Sequence, residues 1–304
     1  MRIRKSYLNE IIILRVTENV TLVFYNEHIK WIKPFLFLII KDIRRLVMDS
    51  NLDKLTSFFR EGELTVIGGR PSMGKTSLAL TIARTLSLRN GKKIVYFSLE
   101  MSKEQVLRRI ISSETRLNCR HMINGVYSDE DEEINDISEK TMSAGLVIDD
   151  TPGTTIDTLY KKCTDYHKDS PIDLIIIDYL QLISGNGDHT SRIQEISAIS
   201  GGLKELAKDL NVPVIVLTQI SRAADGRKDH RPVLSDLRES ESIIRNADTI
   251  MFLYRDGYYD KNLDDCNLSE VIIAKQKNPR DTNTIYLLWV PEYLEYRDYD
   301  GVYE

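Results

Sequence analysis

Cysteine is scarce: Cys119, Cys163 and Cys266 are the only three in 304 residues, far apart and without C-x-x-C or Cys/His spacing. Nothing in that spacing indicates a disulfide framework or a zinc site, so a reducing cytoplasm is the expected compartment. Excess positive charge is also missing. With a formal net charge of −5, any nucleic-acid surface must be local or built from backbone amides. Long apolar runs are absent too. The block PFLFLII over 34–40, between Lys33 and Lys41, falls far short of the ~20 apolar residues that span a bilayer. No small-residue cleavage site follows it. We expect no membrane segment, no internal repeat and no low-complexity tract. What is present is ordinary globular composition, enough for one large or two small domains with a buried core.

Residues 1–50 read differently from the remainder. Met1 to Lys5 is basic, 11–25 is rich in β-branched residues, and 35–48 is expected as a helix packed on the core or on a neighbouring subunit. The expected organisation is an atypical extension over 1–50 followed by one domain over 51–304.

The chain is organised around ELTVIGGRPSMGKT, residues 63–76. Gly69-Arg70-Pro71-Ser72-Met73-Gly74-Lys75-Thr76 fits G-x-x-x-x-G-K-[ST], between a strand-like run over 64–67 and a helix-like run over 77–88 that opens at Ser77. A Cβ at the glycines would keep the backbone from wrapping a β-phosphate, while successive N–H groups and the helix N-terminus supply positive potential. Lys75 adds a point charge toward the β/γ-phosphates, and Thr76 offers a hydroxyl to Mg²⁺. The octet and Ser77 form the expected ATP site.

Strand-like and helix-like runs alternate from residue 64 onward. Strands are expected at 64–67, 94–98, 146–148, 174–177, 214–218, 249–253, 271–275 and 285–289; helices at 77–88, 104–113, about 130–143, 156–168 and 192–210. This pattern predicts an α/β fold, a mostly parallel twisted sheet with helices on both faces, ending in an antiparallel β-hairpin. The apolar runs IIIDY and VIVLT imply strands buried on both faces. Ser102 with Gln105 reads as a capping box. The segments 184–191 and 221–238 leave carboxyl ends of strands, where function concentrates in such sheets.

Three residues at strand ends carry candidate chemistry. Asp178 closes a buried apolar strand, as the Walker B acid does when it holds magnesium's water shell; an ordinary strand terminator is the plain alternative. Glu100 follows the strand over 94–98 and either polarises an attacking water or is simply an acid near a helix N-terminus. Gln219 either contacts a γ-phosphate through its amide or faces solvent.

RPSMGKT, FSLEMS, IIIDYLQLI, LKELAKDLNVPVIVLTQISR, RPVLSDLRES and IIAKQKN together resemble, in order, the carboxyl-terminal RecA-like motor domain of DnaB-type replicative DNA helicases, over about residues 51–289. The resemblance implies a homo-hexameric ring that hydrolyses ATP between subunits, moves along single-stranded DNA and meets a primase or loader. It makes Lys75 and Thr76 phosphate and magnesium ligands, Glu100 the catalytic base, Asp178 the Walker B acid and Gln219 the γ-phosphate sensor. Arg238, Glu239 and Ser240 fall on the DNA-gripping loop.

Three departures stand out. Residues 1–50 are too short for the family's helical collar domain and do not resemble it. Glu241 replaces the usual glycine after DLRES. In the family's K-x-R-N-G segment, Lys277 occupies the place of the arginine finger; Arg280, three residues on, lies in a turn and is a second candidate, while Lys275 is expected to reach the γ-phosphate. These departures favour one rival, a nucleotide-binding replication scaffold without unwinding; a second rival, a RecA-like ATPase that does not unwind, has the SLEM and DLRES segments against it.

Overall fold

The computed structural model describes residues 11–15, 21–25, 50–123, 132–185, 191–237, 241–263, 265–277 and 284–299. The chain divides into two compact units, Met1–Ser50 and Asn51–Glu304. In the first, β1 (Ile11–Arg15) and β2 (Thr21–Tyr25) pair antiparallel, Ile11 opposite Tyr25, as β-branched residues favour. The helix expected over 35–48 lies outside the described residues.

In the second unit the described elements run α1 (Asn51–Thr56), β3 (Leu64–Gly69), α2 (Lys75–Arg84), β4 (Ile94–Ser98), α3 (Lys103–Thr115), α4 (Cys119–Ile123), α5 (Glu132–Ser143), β5 (Leu146–Asp149), α6 (Ile156–Asp169), β6 (Leu174–Asp178), α7 (Arg192–Leu210), β7 (Val214–Gln219), α8 (Glu241–Asn246), β8 (Thr249–Tyr254), β9 (Leu268–Gln276), β10 (Thr284–Val290) and β11 (Glu295–Asp298). They build one nine-stranded sheet in the order β11-β10-β9-β8-β3-β7-β6-β4-β5. From β8 to β5 neighbours are parallel; β9, β10 and β11 add an antiparallel meander.

Strand periodicity assigns the two faces. Ile94, Tyr96, Leu174, Ile176, Ile215 and Leu217 join Leu55, Leu78, Ile82 and Val106 in one core, under α1, α2 and α3. Their strand neighbours Val95, Phe97, Ile175, Ile177, Val214 and Val216 join Leu159, Ile199, Leu203 and Ile243 in the other, under α6, α7 and α8. Helices therefore cover both faces, and the central strands read as continuous apolar runs because neither face meets water.

Local chemistry sets the helix ends. The Ser102 hydroxyl accepts from the Gln105 amide at 3.3 Å and the Gln105 Oε1 accepts from the Ser102 amide at 3.0 Å, closing the expected capping box. The helix expected over 77–88 starts earlier, at Lys75, and passes into a π-helical turn over Thr85–Arg89.

Candidate active site

Parallel register brings the sequence-selected strand ends to one edge. Gly69 of β3 is the register partner of Gln219 of β7, and Ser98 of β4 is the partner of Asp178 of β6. The strand order β3-β7-β6-β4 therefore lays out the phosphate loop, Gln219, Asp178 and the segment leading to Glu100 side by side.

The loop's shape follows from its residues. Gly74 has φ of 103° and precedes α2; a Cβ there would lie 2.4 Å from the Tyr296 hydroxyl. That hydroxyl donates to the Met73 carbonyl at 3.0 Å, so β11 braces the loop from beneath. A side chain at Gly74 would meet both a left-handed backbone and a buried phenol. Met73 is itself buried in the core, and its amide donates to the Arg70 carbonyl at 3.2 Å, which closes the turn of the loop. Pro71 and Ser72 are exposed, and the Ser72 carbonyl accepts from Arg255 Nη2 at 3.3 Å. Ser77 is buried within α2.

Lys75 Nζ donates to the carbonyls of Gly69 at 2.9 Å and Arg70 at 3.0 Å, so the ammonium lies over the loop. Burial pushes its pKa down to about 8, with Arg70 adding to the shift and the Asp178 and Glu100 charges opposing it. Arg70 turns the other way: its Nε and Nη2 fork onto the Asp225 carboxylate at 3.0 and 2.8 Å, and its Nη1 donates to the Ile220 carbonyl at 3.2 Å. Its guanidinium ties the loop to the segment after β7.

Asp178 is buried and accepts a hydrogen bond from Tyr96 Oη at 2.9 Å, with the Thr76 hydroxyl near enough to favour its charged form. Burial raises its pKa; the two hydroxyls and Lys75 oppose the shift, and Glu100 adds to it. Glu100 is exposed and precedes the Ser102 cap, the first-turn acid of α3 being Glu104. Its charge acts on Lys75 and on Asp178. The Thr76 hydroxyl and Asp178 carboxylate are hard oxygen donors of the kind Mg²⁺ takes. Among the described residues no group of three or more His, Cys, Asp or Glu could hold a metal ion.

The two lysines lie elsewhere. Lys275 pairs with Ile250 near the start of β8, and its Nζ donates to the carbonyls of Ile244 and Ala247 at 2.5 and 2.6 Å, at the carboxyl end of α8. Burial lowers its pKa, as does the neighbouring Lys277 charge, against Asp248. The Lys277 side chain is 68% exposed, its Nζ 3.6 Å from Asp248 Oδ1. Both stand at the amino edge of the parallel strands, a strand length of roughly 17–20 Å from the phosphate loop. Arg238, Glu239, Ser240 and Arg280 lie outside the described residues.

Residues 48–298 match the family model of the DnaB-like helicase C terminal domain. The chain belongs to this family. It is 41% identical over 249 residues to the replicative DNA helicase DnaC of Bacillus subtilis (strain 168), covering 81% of this chain and 55% of that protein. The replicative DNA helicase DnaB of Geobacillus stearothermophilus gives the same values of 41%, 249 residues, 81% and 55%. The chain thus spans about half the length of these curated relatives. A solved DnaB-like replicative helicase, described with its interactions with primase, superposes with a TM-score of 0.75 at 34% identity, covering 80% of this chain and 58% of that one. A solved ATPase domain superposes with a TM-score of 0.77 at 31% identity, covering 88% of this chain and 99% of that one. The RecA-like fold expected from the sequence is the fold of this DnaB-like domain.

Sequence reading left three residues at this edge unassigned. Tyr96 lies inside a strand and reads as core, yet its hydroxyl reaches Asp178. Gln181 donates through Nε2 to Thr218 Oγ1 at 2.8 Å and accepts from the Gln219 amide at 3.4 Å, so it locks the end of β7. Its place in IIIDYLQLI, three residues after Asp178, was the available signal. Asp225, the partner of Arg70, sits in a polar loop with no local pattern to mark it.

Proposed function

We propose that this DnaB-like domain, residues 51–304, is an ATP-driven motor that moves on single-stranded DNA in replication, with 1–50 as a separate extension. The carrying observation is the split of the site residues between two sheet edges. Lys75, Thr76, Glu100, Asp178 and Gln219 cluster at the carboxyl edge, while Lys275 and Lys277 stand at the amino edge. One subunit's cations complete a site only in its neighbour, which calls for a head-to-tail, heterologous interface that closes into a ring. We assign that ring six subunits.

In this reading the loop amides and the first turn of α2 cradle the phosphates, and Lys75 offers its ammonium to the β/γ-phosphates. Thr76 and Asp178 would hold Mg²⁺, which neutralises charge on the phosphate oxygens when bound. Glu100 takes the proton of the attacking water. Gln219, fixed through its backbone by Gln181, registers the γ-phosphate. Lys277, or Arg280, approaches from the neighbour to meet charge that builds in the transition state. Arg238, Glu239 and Ser240 grip DNA phosphates, which gives affinity without direct sequence reading. A primase or a loader is the natural partner, and the cytoplasm the compartment.

A nucleotide-binding replication accessory without unwinding is the second reading. It is favoured by Glu241, an exposed acid that opens α8 directly after the proposed DNA loop. Strand displacement on a forked substrate decides between them: ATP-dependent displacement supports the motor, and ATP turnover without displacement supports the accessory.

A further inference from the structure

Tyr96 is fully buried, 0% exposed, in the core beneath α2. It is the register partner of Ile176, which puts Asp178 two residues further along the neighbouring strand and on the same face. A long side chain reaches that diagonal neighbour. The phenol does so, donating to Asp178 Oδ2 at 2.9 Å. Burial, together with the Asp178 charge, holds the Tyr96 pKa well above its ordinary value.

Buried tyrosines usually find a hydrogen-bond partner; for Tyr296 it is the Met73 carbonyl. Tyr96 instead spends its proton on a carboxylate at the functional edge. Asp178 is thereby held from the sheet interior by Tyr96, while the Thr76 hydroxyl of the phosphate loop lies near its carboxylate. The aromatic ring is packed on all sides and cannot follow a rotating carboxylate. Its hydrogen bond therefore selects one orientation of the Asp178 oxygens.

We infer that Tyr96 is a positioning residue for magnesium, setting the orientation in which Asp178 meets the ion beside Thr76. This rests on the reading of Asp178 as the Walker B acid. Partners that orient a metal-binding carboxylate commonly contribute about 10–100-fold to metal affinity. Removing the phenol oxygen while keeping the ring should act on magnesium and leave metal-free nucleotide contacts alone.

The test is a magnesium chloride titration of the full 304-residue chain at fixed fluorescent ADP, for wild type, Tyr96→Phe, Asp178→Asn and the double variant. Nucleotide affinity without metal and the melting temperature are measured on the same preparations. Tyr96→Phe should raise the magnesium midpoint about tenfold with unchanged metal-free affinity. The double variant should show no more than the Asp178→Asn shift, because Tyr96 acts through Asp178. Tyr96→Met, which fills the space without a donor, should repeat the shift if Tyr96→Phe is poorly soluble. A wild-type midpoint in the Tyr96 variants, with or without a lower melting temperature, assigns Tyr96 to the core alone and overturns the inference. So does a Tyr96→Phe shift that persists in full on Asp178→Asn. An unchanged midpoint in Asp178→Asn removes the Walker B reading itself, and the inference with it.

Discussion

Lys75 and Lys277 stand at opposite edges of one sheet: Lys75 follows the carboxyl end of β3, whereas the Lys277 amide donates at 2.8 Å to the Asp248 carbonyl just before β8 begins. A strand of about 17–20 Å separates them, so no side-chain rotation brings Lys277 to its own subunit's phosphate loop. Lys277→Ala should leave ATP binding by isolated subunits intact and cut DNA-stimulated turnover by about tenfold or more. Mixing Lys277→Ala with Lys75→Ala subunits should restore part of the activity, since a neighbour pair then holds one intact loop and one intact cation. Absence of recovery in mixed particles of confirmed sixfold mass counts against completion by Lys277.

Glu100 is exposed beside Lys75 and ahead of the α3 cap. Glu100→Gln keeps its shape and removes the base. ATP binding should persist while turnover falls by about 10²–10⁴-fold. Near-normal turnover in single-turnover kinetics would place water activation elsewhere.

The ammonium of Lys75 titrates at about 8, lowered by burial. A bound phosphate raises that value, because the anion favours the charged lysine. Nucleotide binding should take up a proton at and somewhat above pH 8, and none from this group near pH 6.5, where Lys75 is already charged. Affinity should fall as pH rises through 8. Calorimetry in buffers of different ionisation enthalpy reads the uptake, and its loss in Lys75→Ala assigns it.

The Arg70 fork onto Asp225 ties the phosphate loop to the segment after β7, with side-chain exposures of 12% and 38%. Its worth is about 1 kcal/mol, given that half-exposed carboxylate. A double-mutant cycle on Arg70→Ala and Asp225→Ala should return a coupling of about that size in thermal unfolding. Asp225→Ala should also weaken ATP binding a few-fold by loosening the loop. Independent, additive losses would show that the fork holds nothing in place.

DNA affinity should drop steeply between low and moderate salt and show little base preference. Glu241→Gly removes an acid next to the proposed DNA loop and should tighten binding several-fold in fluorescence anisotropy. The same change takes a first-turn acid from α8, so a melting temperature lower by a few degrees should accompany it. Unchanged affinity would turn that loop away from DNA.

Much of this was legible because buried parallel strands have continuous apolar sequences. All eight strands expected from residue 64 onward appear, and the octet at 69–76 falls on the turn between β3 and α2, as its flanking pattern implied. The register that puts Gln219 beside Gly69 was not legible, because strand order depends on crossovers and not on local pattern. Short helices such as Asn51–Thr56 and Glu241–Asn246 are too brief to show a period. β11, EYRD, reads as polar although Glu295 and Tyr296 are buried, Glu295 as the partner of Arg84 at 3.0 Å, and Tyr296 shapes the phosphate loop. Tyr96 was hidden for the opposite reason: within an apolar run its hydroxyl carries no sequence signal, and only the diagonal to Asp178 exposes its role.

The most direct measurement of the central claim is steady-state ATP turnover of the 304-residue protein with and without single-stranded DNA, beside Lys75→Ala. The account predicts magnesium-dependent turnover that single-stranded DNA stimulates and that Lys75→Ala abolishes. Turnover indifferent to DNA, or surviving in Lys75→Ala, would contradict it.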